Sequence, residues 1–358
     1  MTDCLIVDDL DPVEDALAAG HDSAIQFSAP FTETLMLVAF GSDGNFADGP
    51  TFSKAEYLAR VNGLCATYGT SLTVRFFGHY SDEFDGNVLH EIPDVHALTL
   101  NCLENGRNLE VLKGLNHLTK LSFGIYELKE RGILNSLPLE QLTQLTLEET
   151  ATKALDLAPM AKAQSLRHLQ LFGHRKNISA LGQLTQLEEL AFNPVKGVPL
   201  EFLNGLTSLK TLKLVLGGTE DLNDVTLPNL TDLALTMVRG FTDLGPLDRF
   251  PKLERLLLQD QQHLEQIDFG AGCDDLRHIW LDNCKALADL PGLSKCQQLQ
   301  SLSAGKTALN AKDLELPKSL THFSIHSGTV ASIKADKERA AQMGLSPDNH
   351  PEMPFFYK

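Results

Sequence analysis

The sequence contains no apolar run long enough to cross a membrane, since no stretch approaches the roughly 18 uninterrupted apolar residues that a spanning helix needs. Its first nine residues also lack the basic segment and the apolar run of a signal peptide. We therefore expect a cytoplasmic protein that has no membrane partner.

Cysteine is scarce, with six residues in 358, and no two of them form a Cys-x-x-Cys pair. In a chain with a large apolar inventory, scattered cysteines are typical of buried, reduced thiols. We expect that state for all six, which are Cys4, Cys65, Cys102, Cys273, Cys284 and Cys296.

Motifs that carry chemistry are also missing. Ala304-Gly-Lys-Thr307 resembles the end of a phosphate-binding loop, but Gln300 stands where that loop needs its first glycine. The loop Asp43–Gly49 lacks the spacing and the late glutamate of a calcium loop. His322 and His326 would lie about 13 Å apart along one strand, too far to share a metal directly. We expect no enzyme, no cofactor, no metal and no small-molecule substrate, although a site assembled from distant loops would leave no such trace.

Basic residues are few, and the shortage is concentrated near the N-terminus. Lys and Arg number 30 against 47 Asp and Glu, and the formal net charge is −17. Residues 1–94 hold sixteen acids and three bases, a net charge of −13. An acidic surface repels nucleic acid and attracts basic proteins. This imbalance disfavours a nucleic acid partner and favours a protein partner with a basic surface. The alternative is that residues 1–94 are only a soluble acidic cap.

A repeat dominates the remainder of the chain. The pattern apolar-x-x-apolar-x-apolar recurs eleven times, and the first residues of successive instances are 21 to 24 positions apart. The instances begin at Val95, Leu118, Leu142, Leu166, Leu187, Leu209, Leu230, Leu253, Leu276, Leu299 and Leu320.

The spacing within one instance predicts a short strand, because its last two apolar residues are two apart and point to one face. A single such strand buries too little to be stable alone, so the units must stack into a parallel sheet. Apolar residues three apart, such as Leu287 and Leu290, suit one or two turns of 3₁₀ or α-helix between strands. The fold class expected is α/β: a curved parallel sheet with short helical returns.

The unit Ile178-Ser-Ala-Leu-Gly-Gln-Leu-Thr-Gln-Leu-Glu-Glu-Leu190 resembles the leucine-rich repeat, in the class of about 22 residues found in internalin-like bacterial proteins. The resemblance covers about 95–328. It implies a solenoid that binds partners on its concave strand face, but it does not identify them, because leucine-rich repeats serve many partners. The family usually places Asn or Cys eight positions after the first leucine, and here only Cys284 fits, with Thr150 and Thr307 as weak substitutes. We therefore expect less regular coils.

The two ends should seal the exposed ends of this stack. Residues 1–94 are expected to form an acidic α/β cap with a strand at Thr34–Phe40, a helix from Ser53 to about Ala66 and a strand at Leu72–Phe77 that pairs with the first repeat. Loops 41–51 and 80–88 would lie at its rim. Residues 95–328 form the solenoid. Residues 329–358 form a C-terminal cap with a short helix from Ala335 to Met343, ended by Gly344.

The register also predicts which side chains face outward from the sheet. Most are small or polar, but the only tryptophan, Trp280, lies beside Leu257, and four polar residues surround them. An aromatic and aliphatic pair with a polar rim is typical of an interface. The alternative is that the aromatic C-terminal tail covers Trp280. The predicted partner-binding residues are Arg255, Leu257, Gln259, His278, Trp280 and Asp282, with Phe172 and Val215 as a second candidate.

The leading hypothesis is a non-enzymatic protein-binding module. Its sharper form is a bacterial immunity or inhibitor protein that sequesters a basic toxin or enzyme, because the acidic N-terminal third complements a basic active site. One alternative is a secreted bacterial effector that uses the repeats to target a host protein. Another is an enzyme with unrecognised chemistry in the N-terminal cap.

Overall fold

The computed structural model describes residues 10–28, 38–40, 46–48, 54–80, 83–151 and 154–345. The chain divides into two compact units, residues 1–180 and residues 181–358. Among the described residues, no helix combines the length and the apolar character that a membrane span requires.

Unit 1 contains two helices and a row of parallel strands. The strands pair in the order β1-β4-β6-β8-β9-β10, while β2 with β3 and β5 with β7 form separate two-stranded pairs. Its elements are α1 (Asp11–Ala18), β1 (Ser23–Ser28), β2 (Val38–Phe40), β3 (Phe46–Asp48), α2 (Lys54–Tyr68), β4 (Leu72–Phe77), β5 (Glu83–Asp85), β6 (Ala97–Leu103), β7 (Asn105–Arg107), β8 (Lys120–Ile125), β9 (Gln144–Leu147) and β10 (His168–Leu171).

The N-terminal crossover uses a different first strand from the one predicted. β4 pairs in parallel with β6, as expected, but its other neighbour is β1 and not a strand at Thr34–Phe40. Within that segment only β2 is described, and it pairs antiparallel with β3. β1 fits the sheet because Ile25 and Phe27 alternate with polar residues and are buried, and Phe27 stacks on Phe76 of β4. The expectation that Thr34–Phe40 supplies the first strand of a crossover to β4 was therefore wrong, although its last three residues do form a strand. Residues 34–37 lie outside the described residues, and α1 was not anticipated.

Unit 2 continues the same pattern with seven strands that pair in parallel and in register. Leu212, Leu233, Leu256 and Ile279 are direct neighbours across four of them, and all four side chains are buried. Its elements are β11 (Glu189–Phe192), β12 (Thr211–Val215), β13 (Asp232–Thr236), β14 (Arg255–Gln259), β15 (His278–Asp282), β16 (Ser301–Gly305), β17 (His322–His326) and α3 (Val330–Gln342).

Each of the eleven predicted instances coincides with one strand, β6 and then β8 to β17, which confirms the repeat solenoid. The connections include short 3₁₀ turns that return the chain, with their leucines buried against the strand leucines. These turns are Gly69–Ser71, Gly86–Glu91, Leu109–Gly114, Ile133–Ser136, Ala158–Lys162, Ile178–Gln183, Glu201–Gly205, Leu247–Arg249 and Leu293–Lys295.

The eighth position of the repeat is better filled than the sequence suggested. Cys284 donates weakly to the carbonyl of Leu258, as its place in the family pattern implies. His174, buried at the same position of another repeat, accepts a hydrogen bond from the amide of Leu155 and bonds the carbonyl of Glu148. Gln261 donates to the carbonyl of Gln259. His174 and Gln261 therefore bond backbone groups from the position that the family fills with Asn or Cys.

The C-terminal helix begins five residues earlier than predicted because Thr329 caps it, accepting a hydrogen bond from the amide of Ser332. Gly344, in the left-handed conformation, follows its end as expected. Asp336 of α3 accepts hydrogen bonds from the Ser324 hydroxyl and the Ile325 amide of β17. The expectation for the aromatic tail, and with it the cover over Trp280, lies outside the described residues.

Candidate functional site

The residues predicted around Trp280 do come together, on the two neighbouring strands β14 and β15. The parallel register places Arg255 beside His278, Leu257 beside Trp280 and Gln259 beside Asp282. We call these six residues the Trp280 patch. The repeat spacing alone determines this juxtaposition.

The Trp280 patch is less exposed than the sequence suggested. Leu257 is only 8% exposed, which corrects the expectation of an exposed aliphatic side chain. It lies between Ala234 and Trp280 on strands about 4.8 Å apart, so its larger neighbour shields it. Arg255 forms an ion pair with the buried carboxylate of Asp232, so its charge already has a partner within the protein. Burial also lowers the pKa of the half-buried His278, with the charges of Arg255 and Arg277 acting in the same direction.

The second predicted candidate divides between the two units. Phe172 follows β10 in unit 1 and Val215 ends β12 in unit 2, and both are half-buried. The carbonyl of Val215 accepts a hydrogen bond from the Asn193 amide. A binding role for Phe172, Val215 and the Trp280 patch stays a prediction.

A larger feature lies in unit 1, where successive strands reach their carboxyl ends. Residues that lie at or after the ends of β4, β6, β8 and β9 line a cavity of about 750 Å³ that is open to solvent. We call it the tyrosine–glutamate cavity, after the residues that give it its character: Tyr80, Glu104, Tyr126, Glu127, Glu148 and Glu149.

Two exposed aromatic rings form one wall of this cavity. Tyr80 and Tyr126 are 56% and 47% exposed, and their rings meet edge to face with centroids 6.0 Å apart. The backbone holds them there: the amides of Tyr80 and Tyr126 donate to the carbonyls of Cys102 and Leu103. Cys102 lies in a left-handed bulge of β6, and Tyr80 is itself left-handed. This local departure from regular strand geometry therefore exposes the rings of Tyr80 and Tyr126.

Glycine at position 124 makes room for the carboxylate of Glu148. A methyl group on Gly124 would lie 2.1 Å from Oε2 of Glu148, so a side chain there would displace the carboxylate. Gly124 and Glu148 occupy corresponding positions of adjacent repeats. The missing side chain at Gly124 thus leaves the space that the Glu148 carboxylate of the next repeat occupies.

The electrostatics of the cavity are dominated by carboxylates. Burial raises the pKa of Glu148 above its ordinary value, opposed by a hydrogen bond from Asn101 and by the charge of Arg75. Arg75 is itself hydrogen-bonded to Asn101 and Gln26. Four glutamates with two exposed rings provide a chemistry suited to a cation, which is attracted by carboxylates and by the faces of aromatic rings.

Sequence reasoning missed this cavity because it assigned the acidic surface to residues 1–94 and counted Tyr126 only among the eighth positions that depart from the family pattern. A usable signal was present. A tyrosine at the eighth position is too large for the space that the family fills with Asn, so Tyr126 had to point outward. Glu148, at the position of the next repeat that corresponds to Gly124, completes that signal.

Within the part of the chain that the structure describes, no group of three potential ligands is placed to hold a metal ion. The polar side chains that line the cavity are carboxylates, tyrosine hydroxyls and Thr150.

No family model and no curated protein matches the chain. Solved structures do: an internalin from Listeria monocytogenes superposes with a TM-score of 0.54 at 19% sequence identity, over 73% of this chain and 75% of that one. The fold is the leucine-rich-repeat fold. A leucine-rich-repeat protein of Leptospira interrogans covers 94% of this chain and 98% of its own, with a TM-score of 0.43 and 16% identity. At such identities the likeness concerns the fold alone.

Proposed function

We propose that this leucine-rich-repeat chain binds another protein, one with a basic surface, through the tyrosine–glutamate cavity. The sharper proposal is that it acts in the cytoplasm as an immunity or inhibitor protein that masks a basic toxin or enzyme. Leucine-rich-repeat solenoids are typically protein-binding modules, because stacked strands offer an extended surface. The observation that carries the proposal is the presence of two exposed tyrosine rings and four glutamates around one cavity.

A lysine or arginine side chain of the partner has the chemistry that this cavity complements. Its charge would be attracted by Glu104, Glu127, Glu148 and Glu149, and it could lie against the rings of the tyrosine pair. The net charge of −17 adds long-range attraction, which accelerates association with a basic partner at low salt.

The test begins with the tagged chain purified from its native host, followed by identification of bound proteins and measurement of Kd with the purified partner. Glu148→Gln with Glu149→Gln should weaken binding at least tenfold, and Tyr126→Ala by a similar factor, because each removes part of the cation site. Binding should also weaken steeply with added salt.

The matched control is Asp274→Asn with Asp275→Asn, which makes the same change of charge at two exposed residues of unit 2. Equal losses in the two double variants, or binding that salt leaves unchanged, would reject the cavity as the site. Trp280→Ala, measured in parallel, should leave Kd unchanged; loss of the partner there would transfer the site to the Trp280 patch.

The inhibitor role has a separate readout. The wild-type chain should suppress the activity of its purified partner at a one-to-one ratio, and the Glu148/Glu149 variant should not. A partner that is bound at the cavity but keeps full activity would reject the immunity role and leave the binding function in place.

A further inference from the structure

The structure brings two of the scattered cysteines together. Of the six, five lie in the described part of the chain, and all five are free thiols. Cys273 and Cys296 occupy the same position of two adjacent repeats of unit 2, 23 residues apart in sequence. They are 2% and 0% exposed, and the interaction between the two thiols raises the pKa of Cys273 and lowers that of Cys296.

The backbone spacing at this place suits a covalent bond between the two sulfurs. Corresponding residues of stacked parallel units are about 4.8 Å apart, within the roughly 4.4–6.8 Å between Cα atoms that a disulfide spans. Gly272 and Lys295, which directly precede the two cysteines, also lie close together, because a methyl group on Gly272 would be 3.0 Å from Cβ of Lys295. Both cysteines then start equivalent turns, in which the amides of Leu276 and Leu299 donate to their carbonyls.

Cys284 offers an internal comparison. It is buried in the same region, but its thiol donates to the carbonyl groups of Leu258 and Asp282. Burial raises the pKa of the Cys284 thiol to about 11. The contact between Cys273 and Cys296 is therefore a specific feature of two repeats and not a general property of the buried cysteines.

We propose that Cys273 and Cys296 are a dithiol–disulfide pair, which cross-links two adjacent repeats when the protein meets an oxidising thiol buffer. This inference is independent of the tyrosine–glutamate cavity, which lies in unit 1. In a reducing compartment the pair stays a dithiol, and in an oxidising compartment a disulfide links the two repeats.

The reaction is thiol–disulfide exchange with oxidised glutathione. One protein thiol loses its proton and attacks the glutathione disulfide, which forms a mixed disulfide and releases one glutathione thiolate. The second protein thiolate attacks that mixed disulfide and releases the other glutathione. The two cysteines together lose two protons and two electrons, and oxidised glutathione becomes two molecules of reduced glutathione. Because both thiols are buried, exchange occurs during folding or transient opening.

The test uses the full chain, refolded from denaturant in glutathione buffers that range from reducing to oxidising. After alkylation of the free thiols, tryptic digestion without reduction is followed by mass spectrometry. Cleavage after Arg277, Lys285 and Lys295 places Cys273, Cys284 and Cys296 in three different peptides. We expect a linked peptide pair containing Cys273 and Cys296, lighter by two hydrogens than the sum of the reduced peptides.

Oxidation should also raise the thermal midpoint by roughly 5 °C, since the cross-link closes a loop of about 23 residues in the unfolded chain. Cys273→Ala and Cys296→Ala should each abolish the rise, and Cys284→Ala should retain it. Alkylated Cys273 and Cys296 throughout the oxidising buffers, or linkage of either one to a different cysteine, would overturn the proposal. The peptide map of the wild-type chain decides the outcome even where a variant folds poorly.

Discussion

At the scale of single residues, His174 illustrates how an unusual side chain satisfies the backbone of a repeat. Nδ1 accepts from the amide of Leu155, so Nε2 carries the proton and donates to the carbonyl of Glu148. The neutral ring is the form that fits both partners, and burial lowers the pKa of His174 accordingly. The same carbonyl belongs to a residue of the tyrosine–glutamate cavity, so His174 supports the backbone behind that cavity.

His174 should make stability depend on pH. Because its pKa is lower in the folded than in the unfolded state, its contribution is complete above about pH 6.5 and is lost as the pH falls through the folded value. His174→Asn, which carries the family's usual residue but no titratable ring, should reduce that loss.

The measurement is the free energy of unfolding in urea, determined for the wild type and the variant between pH 5 and pH 8. The difference between the two proteins at each pH removes the contribution of the other histidines, which both proteins contain. At neutral pH the variant should be less stable by about 1–2 kcal/mol, because a shorter side chain cannot span both partners. Parallel pH profiles for the two proteins would show that His174 does not titrate in this range.

At the scale of elements, two neighbouring returns approach each other backbone to backbone. Gly205 ends one 3₁₀ turn, and a methyl group there would lie 2.1 Å from the carbonyl oxygen of Gly182 in the preceding turn. Backbone cannot move aside as a flexible side chain can. Two adjacent returns are therefore in direct contact, and glycine is what allows it.

Gly205→Ala should destabilise the protein by about 2–3 kcal/mol, because the new methyl group forces the two returns apart. The control is Gly114→Ala, at the end of another 3₁₀ turn, where a methyl group would meet nothing within 4 Å. That substitution should change the free energy of unfolding by less than about 1 kcal/mol. Equal losses in the two variants would mean that the contact with Gly182 relaxes without cost.

The elements also show what the sequence could predict. The repeat strands were predictable because one short apolar pattern recurs eleven times, and a periodic signal survives any single irregular unit. β1 was not, because it is a single strand whose identity depends on pairing with β4, a contact between residues far apart in sequence. The start of α3 depended on Thr329, one capping residue among several polar candidates in that segment.

At the scale of the whole molecule, charge opposes folding while it favours binding. A net charge of −17 destabilises the compact state through self-repulsion. Several of the described ion pairs, such as Arg60 with Asp11 and Lys196 with Glu220, are exposed and offset little of it. The prediction of a basic partner rests on this excess and stays a prediction. It did not locate the cavity, because that location depends on which side chains the stacked repeats bring together.

Added salt should therefore stabilise the free protein. Raising sodium chloride to about 0.5 M shortens the screening length to a few ångström and weakens repulsion between the acids. The thermal midpoint, measured by circular dichroism, should rise by a few degrees, while affinity for a basic partner falls in the same buffers. A midpoint that fell with salt would mean that attractive pairs dominate the folded state.

The helix that follows the last strand also determines how long the stack can be. Repeats that pair in register have no intrinsic end, because the outer edge of each strand offers amides and carbonyls to another. Here Asp336 occupies the amide of Ile325, and α3 lies against β17. The helix therefore covers part of the edge that a strand of another molecule would need, which acts against the growth of a filament.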